Sequence, residues 1–501
     1  MNSLKSYPLG ASFCDSPHSV IRCLPTMADV IDYEEHEPRV MEALSAGYPR
    51  FVVHTYIKQL LEFYLEREGL VGRAGVLVPS RRASEDARSR FGTGVVVQAV
   101  EDALYLVHVD GSDAALVRRL RKFVQHVGCG ISSRQAEDLL VHYGQLAEVY
   151  AEVRYTGNAR ARVEAELAEQ IACPKADVLV CASGMNAFYA GYRAVEELQR
   201  SRGRTAWLQL GWLYLDSGVI LKEYLGAEQT LEICYAVADI AAIEEKIRAY
   251  GETLAAVVVE CPSNPLIQMC DLERLAAVVR AAGGVLLVDP SVASMYCVDV
   301  LPYADLLVTS LTKYAAIEGD VMAGALALNR ESPLYGDLVQ RVSAYHTPAY
   351  ERDLSRLAHE MQQAPEWVTQ IIENAEQLYR YLNTHAAVKR VHYAADSDSA
   401  KTLSKATGGV GAVLSIELKG SMPAFYDAVQ MMKGPSFGTR FSLLSPFMYL
   451  AHYDLVTSEV GRAELRSAGI APELIRISVG AEPYVEIEAA IAAGLEASLQ
   501  A

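Results

Sequence analysis

The sequence lacks several features that would place it in a large functional class. Among its 501 residues there is no apolar run of about 18 residues, so no membrane span is expected. The nine cysteines form no CxxC pair and stand near no histidine cluster, so we expect neither a metal site nor a disulfide framework. The first residues lack the apolar segment of a signal peptide, which favours a cytoplasmic protein.

Positive charge is scarce as well, because the net charge is −17. An acidic surface repels phosphate backbones, so nucleic acid is an unexpected partner. One basic stretch, at residues 118–122 (RRLRK), stands out against this background. Apolar and charged residues alternate around it at helical spacing, which predicts a solvent-exposed helix face.

The middle of the chain alternates short apolar runs with amphipathic helical stretches. The runs occupy residues 176–183, 205–210, 254–260, 284–289 and 304–310. Nearly continuous apolar strands separated by helices predict an α/β fold, with a mostly parallel sheet covered by helices on both faces. Ligands bind such sheets at the carboxyl ends of the strands.

Changes of pattern along the chain divide it into four parts. Residues 1–70 read as an arm leading into a helix, and residues 71–145 as an insertion of unknown role. Residues 146–330 contain the predicted parallel sheet. Residues 331–501 contain helices, a predicted strand and a final helix, which we interpret as a smaller α+β domain.

Two charged side chains stand where predicted apolar strands end. Asp289 needs a cationic or hydrogen-bonding partner there, unless it only caps the next segment. Lys313 lies beside the hydroxyls of Ser310 and Thr312 and, if desolvated, becomes a nucleophile for an aldehyde; otherwise it is a surface lysine in a loop. Enzymes that use pyridoxal phosphate (PLP) need such a pair, a lysine for the Schiff base and an aspartate for the ring nitrogen.

Two further strand ends carry residues that suit a phosphate or a ligand oxygen. Gly184 and Met185 follow a strand and open a helix, whose N–H groups could bind phosphate. Asn264 lies in a loop between two prolines that could aim its side chain at a ligand. Taken alone, each is also compatible with an ordinary helix start or turn.

Longer motifs resemble the cystathionine γ-synthase/γ-lyase family, the Cys/Met-metabolism group of fold-type I PLP enzymes, which are aspartate-aminotransferase-like. The resemblance rests on ECPSNPLIQMCDLERLA, LLVDPSVAS, SLTKY and LIRISVGAEP, beginning at residues 260, 286, 310 and 474. LPTMADVIDYEE from residue 24 and QLGWLYLD from residue 209 are most similar to the fungal type of cystathionine γ-synthase.

The resemblance implies a role for each matching residue. For the cofactor it implies Lys313 as the Schiff-base lysine, Asp289 at the pyridine nitrogen, Asn264 near the 3′-oxygen, and Ser310, Thr312, Gly184 and Met185 at the phosphate. Tyr48 and Arg50 match an arm motif that reaches the site of a neighbouring subunit, with Tyr48 taking part in catalysis. Arg476 matches the arginine that binds the substrate α-carboxylate.

The sequence departs from the family pattern at two places. The usual Tyr-Gly pair, whose tyrosine stacks on PLP, is Leu210-Gly211 here, so Trp212 or Tyr214 must substitute, and we assign Tyr214. The usual SLGGVES stretch near the substrate is SFGTRFS here, which makes Ser436 and Arg440 candidate substrate contacts.

Three functions remain open from the sequence. The first is PLP-dependent γ-replacement, joining an activated homoserine ester to cysteine as in cystathionine γ-synthase and transsulfuration. The second is γ-elimination, including removal of halide from a chlorinated allylglycine to give propargylglycine. The third, from another class, is a PLP-fold protein that binds without catalysis. A shared arm implies a homodimer or homotetramer acting on a small amino acid.

Overall fold

The computed structural model describes residues 4–46, 51–395, 397–405 and 408–501. Its strands are β1 (Arg73–Val78), β2 (Val96–Glu101), β3 (Leu104–Asp110), β4 (Val178–Cys181), β5 (Ala206–Leu210), β6 (Thr230–Cys234), β7 (Leu254–Glu260), β8 (Val285–Asp289), β9 (Leu306–Ser310), β10 (Gly324–Leu328), β11 (Val388–His392), β12 (Val413–Leu418), β13 (Met432–Lys433), β14 (Leu443–Pro446) and β15 (Ile475–Ser478).

The α-helices are α1 (Met27–Glu34), α2 (Pro38–Ala43), α3 (Thr55–Arg67), α4 (Arg81–Phe91), α5 (Ala114–Val127), α6 (Ser133–His142), α7 (Ala159–Ile171), α8 (Gly184–Ser201), α9 (Leu215–Glu223), α10 (Ile240–Tyr250), α11 (Leu272–Ala282), α12 (Tyr335–Tyr345), α13 (Glu351–Met361), α14 (Ala364–Thr384), α15 (Asp398–Leu403), α16 (Met422–Ala428), α17 (Phe447–Ala451), α18 (Tyr453–Thr457), α19 (Glu459–Ser467) and α20 (Tyr484–Gln500). Within the described ranges, none of them combines the length and apolar character needed to cross a membrane.

A seven-stranded sheet in the order β4-β10-β9-β8-β7-β5-β6 forms the centre of the molecule. Strands β6, β5, β7, β8 and β9 pair in parallel, while β10 is antiparallel to both of its neighbours. The predicted α/β fold with a mostly parallel sheet is therefore confirmed. The five predicted apolar runs form β4, β5, β7, β8 and β9, whereas β6 and β10 were not predicted.

Helices cover both faces of this sheet, as the apolar strands require. One buried cluster joins β7 and β8 to α7, α11 and the C-terminal domain. A second cluster joins the opposite face to α8 and α5. Because helices cover both faces, a polar group at the end of a central strand needs a hydrogen-bonding or charged partner there.

The segment predicted as an insertion forms a small antiparallel sheet in the order β1-β3-β2. Its inner face packs on α3 and α6 around Leu60, Tyr64 and Leu106, all of which are fully buried. On α5, Leu120 is buried, whereas the four charged residues of the RRLRK stretch are exposed. The prediction of a solvent-exposed helix face there is confirmed.

A buried ion network ties this segment to the rest of the chain. Arg134 of α6 is only 1% exposed, and its guanidinium lies 2.7 Å from Glu152, 3.1 Å from Asp353 and 3.4 Å from Asp320. Arg352 of α13 lies 3.1 Å from Glu152. Buried charges are tolerated only when each has a partner, so these groups hold three parts of the chain together.

The region predicted as a C-terminal domain contains a second sheet in the order β11-β12-β15-β14-β13. The N-terminal segment contacts both this region and the region of the central sheet. The Val20 N–H donates to the Gly319 carbonyl at 2.9 Å, and the Leu24 N–H donates to the Lys433 carbonyl at 3.0 Å. Tyr48 and Arg50, the predicted arm residues, lie outside the described residues.

Candidate active site

A cavity of about 1730 Å³ opens where the carboxyl ends of the central strands meet the C-terminal domain. Ten of the residues predicted from the sequence line it. They are Lys313, Asp289, Ser310, Thr312, Gly184, Met185, Asn264, Tyr214, Arg476 and Ser436. Strand ends that are distant in sequence thus converge on one place, as expected for a mostly parallel sheet.

Asp289 and Lys313 form the charged centre of the cavity. Burial raises the pKa of Asp289 to about 6, although hydrogen bonds from Ser291 and the charge of Lys313 oppose that rise. The Ser291 N–H donates to Asp289 Oδ1 at 2.8 Å. Lys313 is 6% exposed. An aspartate held in this way suits a protonated ring nitrogen, whose charge would restore its ionised form.

The residues at the start of α8, called the phosphate cradle below, are those that could hold a phosphate. A Cβ on Gly184 would lie 2.8 Å from Ser310 Cβ and 3.1 Å from Ser310 Oγ, so the missing side chain lets the hydroxyl approach the helix N-terminus. Ser183 caps this helix by accepting from the Asn186 N–H at 3.0 Å. N–H groups beside a hydroxyl are the donors a phosphate requires, and these residues fit PLP.

Arg476 lies on β15 and is held from several sides. Its Nη1 donates to Asn264 Oδ1 at 3.2 Å, and its Nη2 donates to the Ser436 carbonyl at 3.1 Å. Its guanidinium carbon lies 5.2 Å from the centre of the Phe437 ring and 4.7 Å from that of Phe447. The structure therefore brings the predicted carboxylate-binding arginine to the same cavity as Lys313.

The turn after β5 separates Trp212 from Tyr214. Trp212 Nε1 donates to His452 Nε2 at 3.0 Å, and its ring stacks on Tyr235 with centres 5.7 Å apart. Tyr214 lines the cavity, whereas Trp212 does not. Of the two aromatic residues weighed from the sequence, Tyr214 is the one that is placed to meet a bound ring.

Arg440 is not brought into the cavity, contrary to its prediction as a substrate contact. Its Nε donates to Glu318 Oε1 at 2.5 Å, and its guanidinium carbon lies 5.0 Å from the centre of the Phe13 ring. The ion pair and the ring fix the side chain on the far side of its loop.

Glu260 is a residue of the site that the sequence analysis did not assign. It ends β7 and pairs in register with Asp289 of β8, so both carboxylates point to one face. Burial and the nearby Asp289 raise the pKa of Glu260 well above its usual value. Its Oε1 accepts from the Tyr214 N–H. The strand-end rule that identified Asp289 would have found Glu260 as well.

The segment predicted as an insertion directly contacts the residues that open α8. The Ser183 hydroxyl donates to the Gly128 carbonyl at 2.9 Å. Gly128 has a φ of +66°, and a Cβ there would lie 2.1 Å from Ser183 Oγ and 2.9 Å from Met185 Cβ. The end of α5 therefore supports the residues that open α8.

Sequence comparisons place the chain among known enzymes. The profile of the Cys/Met metabolism PLP-dependent enzymes matches residues 132–496. An L-2-amino-4-chloropent-4-enoate dechlorinase/desaturase of Streptantibioticus cattleyicolor is 34% identical over 478 residues, 93% of this chain and 94% of that protein. A cystathionine gamma-synthase of Neurospora crassa is 31% identical over 319 residues, 62% of this chain and 50% of that protein.

Solved structures share the fold. Cystathionine gamma synthase from Xanthomonas oryzae pv. oryzae aligns with a TM-score of 0.57 at 21% identity, covering 70% of this chain and 92% of that one. Cystathionine gamma-lyase from Lactobacillus plantarum aligns with a TM-score of 0.56 at 22% identity and the same coverage. The chain therefore belongs to the Cys/Met-metabolism PLP-dependent enzymes, and it acts on amino acids as a γ-synthase or γ-lyase with PLP as its cofactor.

Proposed function

We propose that this enzyme eliminates HCl from L-2-amino-4-chloropent-4-enoate to give L-propargylglycine. The observation that carries the proposal is the similarity to the dechlorinase/desaturase along 93% of the chain, insertion included. The cavity supports it, because Phe437, Phe447, Leu450 and Ala451 line it with Arg476. A chlorovinyl side chain is short and apolar, so it needs a wall of this kind.

The reaction needs no further reactant. One carbon–chlorine bond and one carbon–hydrogen bond break, a second carbon–carbon π-bond forms, and chloride and a proton leave. PLP, when bound, withdraws electrons from the carbons next to the substrate amino group. Asp289 would pair with the protonated ring nitrogen, and Tyr214, which lines the same cavity, would pack against the ring.

Two cationic residues act directly on the substrate. Arg476 binds the α-carboxylate with its guanidinium fork, which suits two parallel hydrogen bonds. The freed amine of Lys313 removes the proton from the α-carbon and later returns a proton to the product. The apolar wall keeps water from the reacting side chain.

A second candidate is γ-replacement, in which cysteine displaces the acyl group of an activated homoserine ester. The Neurospora crassa relative, a cystathionine gamma-synthase, favours it. The two reactions share their first proton transfer and differ in what happens at the γ-carbon.

The test supplies purified holoenzyme with L-2-amino-4-chloropent-4-enoate, or with O-acetylhomoserine with and without cysteine. Elimination predicts equal amounts of chloride and propargylglycine, measured by ion chromatography and mass spectrometry. Cystathionine from the ester with cysteine, without chloride release from the first substrate, would refute elimination and favour replacement. L-Allylglycine, which lacks chlorine, controls for background, and Lys313→Ala controls for contaminating activity.

We further propose that the chain works as a homodimer or homotetramer in the cytoplasm. The support is the arm motif matched by Tyr48 and Arg50, which in the family it resembles reaches the site of a neighbouring subunit and so requires an oligomer. All nine cysteines are free, which suits a reducing compartment. Light scattering after size-exclusion chromatography tests the assembly, and a monomer at micromolar concentration would contradict it.

A further inference from the structure

We propose that Phe437 is a positioning residue that holds both cations of the site, the amine of Lys313 and the guanidinium of Arg476, where they meet the substrate. The inference rests on the roles proposed above for Lys313 and Arg476. It adds one aromatic ring that contacts both Lys313, which moves the proton, and Arg476, which binds the carboxylate.

The geometry of one ring carries the inference. Lys313 Nζ lies 5.0 Å from the centre of the Phe437 ring, and the guanidinium carbon of Arg476 lies 5.2 Å from it. Both distances are within the range of about 6 Å over which an aromatic face attracts a cation. Phe437 is 7% exposed, so water weakens neither attraction much.

The loop that carries Phe437 holds its ring in place. Ser436 has a φ of +99°, a strained conformation for a residue with a side chain. Its carbonyl accepts from Arg476, and the Gly438 N–H donates to Ser478 Oγ at 2.9 Å. The Tyr314 ring meets Phe437 edge-on, with centres 6.2 Å apart. These contacts offset the strain at Ser436 and aim the ring at the two cations.

An aromatic face does something that a carboxylate in its place would not do. A carboxylate would pair with Arg476 and compete with the α-carboxylate of the substrate for the same N–H donors. A ring stabilises the positive charge without accepting those strong hydrogen bonds. It also lets the amine of Lys313 leave and return without breaking an ion pair.

A second ring provides the matched control. Phe447 contacts Arg476 at 4.7 Å, and no cation–π contact joins it to Lys313 among the described residues. Replacing Phe447 should disturb Arg476 alone, whereas replacing Phe437 should disturb both cations. Phe441 is buried in the same loop and stacks on Phe13 outside the cavity, so it controls for the loss of any buried ring.

The experiment compares Phe437→Leu, Phe447→Leu and Phe441→Leu as PLP-loaded proteins. L-Norvaline and n-butylamine are titrated in, with the visible absorbance of the bound cofactor as readout. They share an alkyl chain, but only norvaline carries a carboxylate. Norvaline has no chlorine, so failure of the proposed dechlorination would leave this test intact. A pH titration of the same absorbance reports on the protonation of the Lys313 nitrogen, which is bonded to the cofactor in the loaded protein.

We expect Phe437→Leu and Phe447→Leu to weaken L-norvaline about tenfold and n-butylamine less than about twofold. Only Phe437→Leu should lower the pH midpoint of the absorbance change, by about half a unit to one unit. The reason is that the protonated Lys313 nitrogen loses the aromatic ring that stabilises its charge. Phe441→Leu should change neither. Phe437→Met, which fills similar space without a π-face, replaces the leucine variant if that fails to fold.

Three results would overturn the inference. Phe437→Leu could bind L-norvaline as tightly as the native protein. It could weaken norvaline and butylamine equally, which would mean that the carboxylate is not involved. Phe447→Leu could shift the pH midpoint as much as Phe437→Leu does, which would separate that shift from contact with Lys313.

Discussion

Replacing Gly128 with alanine should weaken PLP binding, although Gly128 lies in the insertion and touches no cofactor atom. The residue ends α5 in a left-handed conformation, with a φ of +66°. Its added Cβ would collide with Ser183 Oγ, 2.1 Å away, and approach the Asn186 nitrogen to 2.9 Å. Ser183 caps the helix whose first N–H groups form the phosphate cradle.

The size of the effect follows from two costs. A left-handed alanine costs about 1 kcal/mol. Pushing Ser183 off its capping position costs about 1 kcal/mol more and opens the N-terminus of α8. We therefore expect a loss of about 2 kcal/mol in unfolding free energy. Only the capping cost falls on the residues that open α8, and because 1.4 kcal/mol is about tenfold, that cost of about 1 kcal/mol should raise the PLP dissociation constant about fivefold.

Gly144 provides a control, because it shares the left-handed backbone conformation but has no atoms close to the place of an added Cβ. Its φ is +68°, and nothing lies within 4 Å of a Cβ built on it. Gly144→Ala should lose only the backbone cost and keep native PLP affinity. Urea unfolding of both cofactor-free variants and PLP titration by absorbance give the two quantities. Equal PLP affinity for the two alanine variants would refute the argument that the insertion supports the cradle.

Three further predictions test the site. Lys313→Ala should fold but lose the borohydride-trapped adduct with PLP, and mass spectrometry that still finds it would exclude this lysine. Asp289→Asn should stabilise the cofactor-free protein against urea more at about pH 7 than at about pH 4. The reason is that the raised pKa of Asp289 makes its ionised form costly to the folded protein as pH rises through about 6. The same substitution should weaken PLP binding. Tyr214→Leu should shift the absorbance of bound PLP while Trp212→Leu does not, and the reverse spectra would assign the stacking ring to Trp212.

The sequence predicted the parts of the site that follow from strand order. Asp289 and Lys313 were predicted because a charge at the end of an apolar strand is costly without a partner, and the structure brings both to one cavity. β10 was missed because its GALAL sequence is short and rich in small residues, and β6 because its TLEIC sequence mixes polar and apolar positions.

The parts that depend on loop geometry could not be predicted. Trp212 and Tyr214 are two residues apart, and only the path of the turn after Gly211, which has a φ of +73°, decides which one faces the cavity. Phe437 belongs to a loop whose direction depends on the strained Ser436. The sequence suggested that Arg440 contacts the substrate. Its ion-pair partner Glu318 is distant along the chain, and the two side chains come together only in the folded protein.

Arg134 sets a limit on how this enzyme can be shortened or redesigned. It belongs to the segment predicted as an insertion, whereas Asp320 and Asp353 belong to the catalytic and C-terminal parts. Cutting the segment out would remove the cation that pairs with the buried Asp353, at a cost of about 3–5 kcal/mol for such a broken pair. Asp320 would keep its pair with Arg356, at 3.3 Å. A search for a minimal catalyst should therefore keep these residues and vary the apolar wall instead.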